Sequence, residues 1–411
     1  MTPTLHPESH RARWRWLRPV LAWLPDVGAF CGALLCAVLA ALLVGSIGGC
    51  GGGVGTEGTG TFSSVGSGPI TGFGSIVVSG VRYDDSAAAV SDDDGNGSDR
   101  SKLALGMVVD VEGGAVATAS DGVTLSATAT RVRTRRALLG PAGGIDLATG
   151  SLRVLGQLVL VTGDTTFDSS LSGGLAAVAD GQLLEVWGLY DASRTGWVAT
   201  RIAPAAAGST YCVSGPVASV DGDRGFTVGS QRFVGSTTGL AAGTIVQLKL
   251  QSSTDTSGRW QVSTQRAEDK LPDQSDGAGV EGLVSAVASA TRFTVNGVTV
   301  DSSAARVDGT VQVGARVQVR GALVAGVLVA TRVQASAPET VRGFELKGTP
   351  SALDTVARRF VLRGITVGYA GASFDGGTAA TLVGYTGTLE VKGRLSADRQ
   401  VLEATSISFR N

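Results

Sequence analysis

The sequence predicts an all-β fold, a tandem array of about five small OB-like β-barrel modules, and three observations carry that expectation. Composition is the first: 60 glycines, abundant Val and Thr, and few long helix formers describe short strands joined by tight turns. A repeat is the second. The tripeptides Ala129-Thr130-Arg131, Ala199-Thr200-Arg201 and Ala330-Thr331-Arg332, with the weaker Ser263-Thr264-Gln265 and Ala404-Thr405-Ser406, recur at intervals of about 64 to 74 residues. The third is a hairpin signal inside each repeat, seen most clearly in Phe293-Thr294-Val295-Asn296-Gly297-Val298-Thr299-Val300. Its Asn-Gly pair accepts the positive φ angles of a type I′ turn.

Taken from the N-terminus, Arg11, Arg13, Arg15 and Arg18 lead into an apolar stretch from Val27 to Val44 that closes on Ile47-Gly48-Gly49-Cys50. A basic region, an apolar region, an aliphatic residue, two small residues and a cysteine follow the order of a bacterial lipoprotein signal. Residues 1–49 are therefore expected to be a lipoprotein signal peptide, Cys50 the lipidated residue, and residues 50–67 an acylated Gly-rich tether. The apolar stretch is long enough to span a bilayer uncleaved, but the glycines between Gly48 and Gly55 suit a tether better than a helix. Gly51 stands where an aspartate would signal inner-membrane retention. The expected location is the cell envelope, lipid-anchored, in the outer membrane of a Gram-negative bacterium.

Module 1 (68–134) opens at Ile70-Thr71-Gly72-Phe73, turns at Ser79-Gly80, and ends with the alternating Val109-Asp110-Val111-Glu112-Gly113 and the Ala-Thr-Arg strand. Module 2 (137–204) repeats this with Pro141-Ala142-Gly143, Leu155-Gly156 and Leu184-Glu185-Val186-Trp187-Gly188. In module 3 (211–267) the parts are Pro216-Val217-Ala218, Gly229-Ser230 and Val246-Gln247-Leu248-Lys249-Leu250. Module 4 (279–335) has Gly282-Leu283-Val284, Asn296-Gly297 and Val317-Gln318-Val319-Arg320-Gly321. The last, module 5 (340–411), has Gly343-Phe344-Glu345, Arg363-Gly364 and Leu389-Glu390-Val391-Lys392-Gly393. Four alternating strands follow a glycine three positions earlier (Gly106, Gly181, Gly243, Gly314); in the fifth, Gly387 lies one place nearer. So few strands bury one face and hide their edges only by closing, which is why a small barrel is expected ahead of a sandwich half.

The segment Pro69-Ile70-Thr71-Gly72-Phe73-Gly74-Ser75-Ile76-Val77-Val78-Ser79-Gly80-Val81-Arg82-Tyr83, followed by Leu105-Gly106-Met107-Val108-Val109-Asp110-Val111-Glu112-Gly113, resembles the family catalogued as domain of unknown function 5666. The resemblance is good over modules 1 and 2, fair for module 4 and loose for modules 3 and 5. It implies tandem small β-barrels in a proteobacterial lipoprotein, with no established activity and no catalytic residues to carry over.

Charge and rare residues exclude several functions. Lys plus Arg number 34 against 35 Asp plus Glu, so there is no electrostatic footprint for nucleic acid. Both histidines, His6 and His10, lie in the expected signal, which leaves the mature chain without Ser-His-Asp or Cys-His catalysis and without histidine metal sites. Cys31 and Cys36 also fall there and Cys50 would be acylated, so Cys212 is left alone, a small buried hydrophobe beside Tyr211 and Val213.

The one dense ligand cluster is Asp92-Asp93-Asp94-Gly95-Asn96-Gly97-Ser98-Asp99. Asp92, Asp94 and Asn96 match the first half of a weak calcium loop, with Gly97 at the sharp turn; Leu103 stands where the bidentate glutamate belongs. A solvated acidic loop accounts for the same residues. Arg131, Arg133, Arg135 and Arg136 read as a closing strand plus solvated linker, or as a patch for anionic lipid. The acidic residues Asp110, Glu185 and Glu390 occupy equivalent outward positions, and Trp187, Trp197 and Trp260 offer faces for sugars. No cofactor is expected apart from that calcium. The expected function is a non-enzymatic binding or structural module array anchored in the envelope, with membrane and a protein or glycan as partners. The alternative is a hydrolase of envelope glycan or peptidoglycan working through carboxylates.

Overall fold

The hairpins predicted at five two-residue turns are all present, and their backbone angles show why those residues stand there. The computed structural model describes residues 62–410 apart from 223, 268–270, 338, 339 and 341; the expected signal, Cys50 and tether residues 50–61 lie outside these. Positive φ at both turn residues, 49° and 75° at Ser79-Gly80, 53° and 82° at Leu155-Gly156, 49° and 76° at Asn296-Gly297, and 49° and 77° at Arg363-Gly364, is the type I′ signature. At Gly229-Ser230 only the glycine is positive, at 58°, which is the type II′ pattern.

Module 2 shows the wiring. Its opening strand Leu138–Asp146 pairs antiparallel with Ser151–Val154, and that strand with Gln157–Phe167. Gln157–Phe167 runs parallel to the closing strand Gly196–Pro204, whose antiparallel partner Leu183–Asp191 returns to the opening strand. The order 1-2-3-5-4-1 is a closed five-stranded Greek-key barrel of OB type. The same circuit closes the other modules. In module 5 the opening strand is split into Phe344–Gly348 and Ser351–Asp354. Interiors are dry: Leu138, Leu152, Val159, Leu184, Val186 and Ile202 are all 0% exposed.

The glycine ahead of the fourth strand sits at φ of 78° to 86° in modules 1 to 4, and its N–H donates to the opening strand at 2.8 to 2.9 Å. Only glycine takes this conformation without strain, so it fixes where the fourth strand begins. The Ala-Thr-Arg repeat has an equally local cause. Ala129 pairs with Gly113 and Arg131 with Glu112, so Thr130 is the extra residue of a β-bulge. Its hydroxyl donates to the Glu112 carbonyl at 3.0 Å, as Ser263 does to Lys249, Thr331 to Arg320 and Thr405 to Lys392. The facing glycine is required by space: a Cβ on Gly321 would lie 2.0 Å from the Val329 oxygen.

The barrels are not beads on a string. Modules 1 and 5 share one apolar core, as do modules 2 and 3. Two boundaries differ from the sequence reading for this reason. Module 1 begins at Phe62, inside the expected tether, and module 4 at Ser275, inside the expected linker, because those two extensions pair in parallel from Phe62 opposite Ser275 to Ser67 opposite Val280. The opening strand of module 1 then continues beside module 5, Gly72 opposite Glu345. Gly60–Asn411 is one compact unit. Among the described residues no helix is long and apolar enough to cross a membrane.

Candidate functional site

Modules 1 to 4 meet around a cavity of about 410 Å³, walled by Val108, Leu189, Trp197, Pro216, Ile245 and Leu283 among others. Each side chain is placed by its strand. Leu189 and Trp197 lie on the fourth and closing strands of module 2 but on opposite faces of the pair: Leu189, opposite Val198, packs outside the barrel with Val108 and Leu283, whereas Trp197, opposite Tyr190, joins the core of modules 2 and 3 and reaches the cavity from there. Trp197 meets the Tyr190 ring edge-on at 5.4 Å and 70°, so the aromatic pair is held rigid. The type I′ turn of module 4 forms another wall, with Gly297 so close to Ile245 that a Cβ would come within 2.5 Å of Cδ1. A volume of this size with mostly apolar walls is typical of small-molecule sites. No carboxylate, histidine or thiol is among the residues that line it. Its chemistry is that of a solvent for apolar groups.

Arg135 and Arg136 stand at the edge of this cavity. The sequence predicts a solvated linker or a patch for anionic lipid here; in the structure both arginines are ion-pair partners of carboxylates. Arg135 reaches Asp110 at 3.3 Å, and Arg136 joins Glu185 of module 2 to Asp93 of module 1. Gln247 of module 3 donates to the same Asp93 carboxylate at 3.0 Å, and Arg266 donates to its backbone oxygen. Burial pushes the Asp93 carboxyl up from its ordinary value, with Arg136 opposing.

This accounts for the acidic loop. Asp92 accepts from the N–H groups of Asp94 and Asn96 at 3.0 and 2.8 Å and from the Asn96 amide at 3.1 Å, and Asp94 pairs with Lys249 of module 3 at 3.0 Å. The carboxylates of Asp92 and Asp94 thus already have partners, and Asn96 turns its amide nitrogen toward Asp92. The carboxylate oxygens of Asp92, Asp93 and Asp94 lie within 4.8 Å of one another. Asp93, which falls outside the alternating ligand spacing, is the most buried of the three at 3% exposure and docks module 1 onto modules 2 and 3. Nothing in a run of three aspartates marks the middle one.

The carboxylates of the hydrolase alternative are each held by arginine. Asp110 has Arg135, Glu185 has Arg136, and Glu390 has Arg82 and Arg410. Their outward placement is as expected, but outward from one barrel is toward another. Arg82 also pairs with Glu345, tying module 1 to module 5. Desolvation raises Glu345, while Arg82 and Arg410 hold Glu390 below its ordinary value against its own burial. Trp187 is buried, and Trp260 packs edge-on against Tyr211 at 5.7 Å. Cys212 is buried, and desolvation raises its thiol to about 12.

The family model for the domain of unknown function DUF5666 matches residues 143–203 and 281–334. These stretches fall in modules 2 and 4, two of the barrels that bound the cavity, while the quoted motif of module 1 lies outside the matched residues. No curated protein matches the chain.

Proposed function

We propose that this chain, which carries DUF5666 as a repeated domain, is a non-enzymatic binding protein of the bacterial envelope, tethered by a lipid on Cys50 and holding an apolar small molecule between its barrels. The observation that carries the reading is the cavity among modules 1 to 4, mostly apolar and aromatic-walled, with no carboxylate, histidine or thiol on its lining. The one titratable acid there, the Tyr190 phenol, is raised above its ordinary value by burial and so stays protonated, which favours binding over proton abstraction. The arginine partners of Asp110, Glu185 and Glu390 also weigh against a carboxylate hydrolase, because a catalytic pair must face substrate and these face neighbouring modules.

The test is fluorescence of N-phenyl-1-naphthylamine titrated with the compact unit Gly60–Asn411. Ala286 lies exposed on the cavity wall, so Ala286→Trp fills the space without disturbing a barrel core. Saturable enhancement that the variant loses supports the reading. Equal enhancement in both removes it.

A further inference from the structure

Module 3 closes less completely than the other four barrels, and the gap lies along one edge of its last strand. In each of the others a short stretch runs parallel to the far end of the closing strand: Ala89-Val90-Ser91 opposite Arg131-Val132-Arg133, Thr166-Phe167 opposite Arg201-Ile202, Arg306-Val307-Asp308 opposite Arg332-Val333-Gln334, and Ser373-Phe374-Asp375 opposite Ser406-Ile407-Ser408. In module 3 the parallel pairing stops at Phe233 opposite Trp260 and Val234 opposite Gln261. Thr264, Gln265 and Arg266 keep their antiparallel partners Lys249, Leu248 and Gln247 on one edge, and among the described residues no strand lies on the other.

The sequence explains the gap. Between the end of the third-strand pairing and the glycine that starts the fourth strand, module 3 has only Val234 to Gly243, against Asp301 to Gly314 in module 4 and longer connections in the other three. Leu240 stands three residues before its glycine, as Val311 does before Gly314, and still packs on the core, so the connection lacks the covering strand and not the cap. The closing strand departs at the same place. Val132, Ile202, Val333 and Ile407, each opposite a valine of the fourth strand, are 0% exposed, whereas Gln265, at their position opposite Leu248, is only half-buried and Thr264 beside it is exposed.

An uncovered row of N–H and C=O groups can add an extended chain, main-chain bonds supplying affinity and alternate side chains selectivity. The covering strands of modules 1, 4 and 5 show what fits. Their central residue is apolar, Val90, Val307 or Phe374, and Val90 and Phe374 pack on the core shared by modules 1 and 5. Their third residue is an aspartate in modules 4 and 5, paired with Arg332 or Arg410 of the closing strand. On the closing strand of module 3 the cation is Arg266, which donates to two neutral groups, the Gln247 side chain and the Asp93 backbone oxygen. We propose that this edge takes an extended segment of another protein, polar, apolar and acidic in order, as a strand parallel to Trp260–Ala267. The site is separate from the apolar cavity and stands without it.

The experiment uses the full chain in detergent and, as probe, a fluorescein-labelled peptide copying Ala370–Gly377, which contains the covering strand of module 5. Anisotropy is expected to saturate, and amide hydrogen exchange of Trp260–Ala267 to slow with peptide bound. The peptide with Phe374→Pro, which loses a backbone donor and the central apolar group, should not bind. Replacing Ser236–Gly239 with a copy of Ser303–Thr310 gives module 3 a covering strand of its own and should weaken capture at least tenfold. Gln265→Glu leaves the connection unchanged and sets a charge beneath the central residue; it should weaken capture several-fold, and it keeps the test open where circular dichroism shows the graft unfolded. Absence of saturation at millimolar peptide overturns the proposal, and so do saturation without slowed exchange at Trp260–Ala267 and wild-type affinity in both variants. A dimer in sedimentation that the graft abolishes, with no peptide capture, assigns the edge to a second copy and overturns it as well.

Discussion

Arg136 holds Asp93 through one nitrogen: Nη2 donates to both carboxylate oxygens, at 3.0 and 3.1 Å, from a linker between modules 1 and 2 to a loop inside module 1. With Asp93 at 4% and Arg136 at 17% side-chain exposure, the pair is largely shielded from water. Removing one member leaves the other charged and dry. Arg136→Ala is expected to destabilise Gly60–Asn411 by about 3 kcal/mol, at the low end for a broken buried pair because Arg136 is not fully enclosed. Urea unfolding of the variant checks this; a loss below half that value would mean that Gln247 and Arg266 suffice to hold the loop.

The pH dependence follows from the raised Asp93 carboxyl. A carboxyl whose folded pKa exceeds its unfolded value binds more protons in the native state, so stability falls as pH rises through the interval above the ordinary 3.8 and is level beyond the raised value. Asp93→Asn removes a titrating group there. Stability of the two proteins measured in steps across that interval should show a declining component in the wild type that the variant lacks; identical profiles would refute it.

Cys212 offers a chemical clock. A thiol raised to about 12 and buried is almost wholly protonated at neutral pH and out of reach of reagents. In Gly60–Asn411, where it is the one cysteine, Ellman's reagent should react only as fast as the barrel opens, with the rate rising in urea along the unfolding transition. Prompt reaction in buffer would contradict the burial.

The bulge makes two substitutions of the same type diverge. Gly321→Ala would force a Cβ to 2.0 Å from the Val329 oxygen, whereas Gly97→Ala meets nothing within 4 Å. Overpacking against backbone costs about 1–3 kcal/mol or more, while Gly97→Ala should be near neutral. Thr331→Val, which loses the 3.2 Å bond to the Arg320 carbonyl, should cost about 1 kcal/mol. Thermal melts of the three variants rank them.

For the proposed anchor, Cys50→Ala should abolish incorporation of labelled palmitate and leave an unprocessed precursor. Equal labelling of the variant would sink the lipid anchor, and fractionation wholly with the inner membrane would sink the outer-membrane placement.

Local signals in the sequence were enough for the barrels. Asn296-Gly297 and its four counterparts encode their turns through backbone angles that depend on the residues themselves, and Gly106, Gly181, Gly243 and Gly314 do the same for the start of the fourth strand. Ala-Thr-Arg was legible as a repeat but not as a bulge, because a bulge is a property of two strands. What lies between barrels left no local trace. Phe62 to Ser67 reads as a Ser/Gly-rich tether, yet it is a strand because Ser275 to Val280 lies beside it, and Gly66 is needed there only because Tyr83 comes within 2.9 Å of where its Cβ would be. The cavity escaped for the same reason: its walls are drawn from several modules, and no window of sequence holds them together.

The parallel pairing of Phe62–Phe73 with Ser275–Ser289 also sets an order of events during synthesis. Module 1 is made first, but the strand that covers its edge emerges only after modules 2 and 3, and the module 5 strand beside Gly72 comes later still. Until then the nascent chain presents an open row of N–H and C=O groups, a ready template for pairing with another copy. Pairings so distant in sequence are slow to form. A chain interrupted before module 4 would therefore be prone to self-association through an intact first barrel, and its cell would need to keep that edge apart from others until the last two modules arrive.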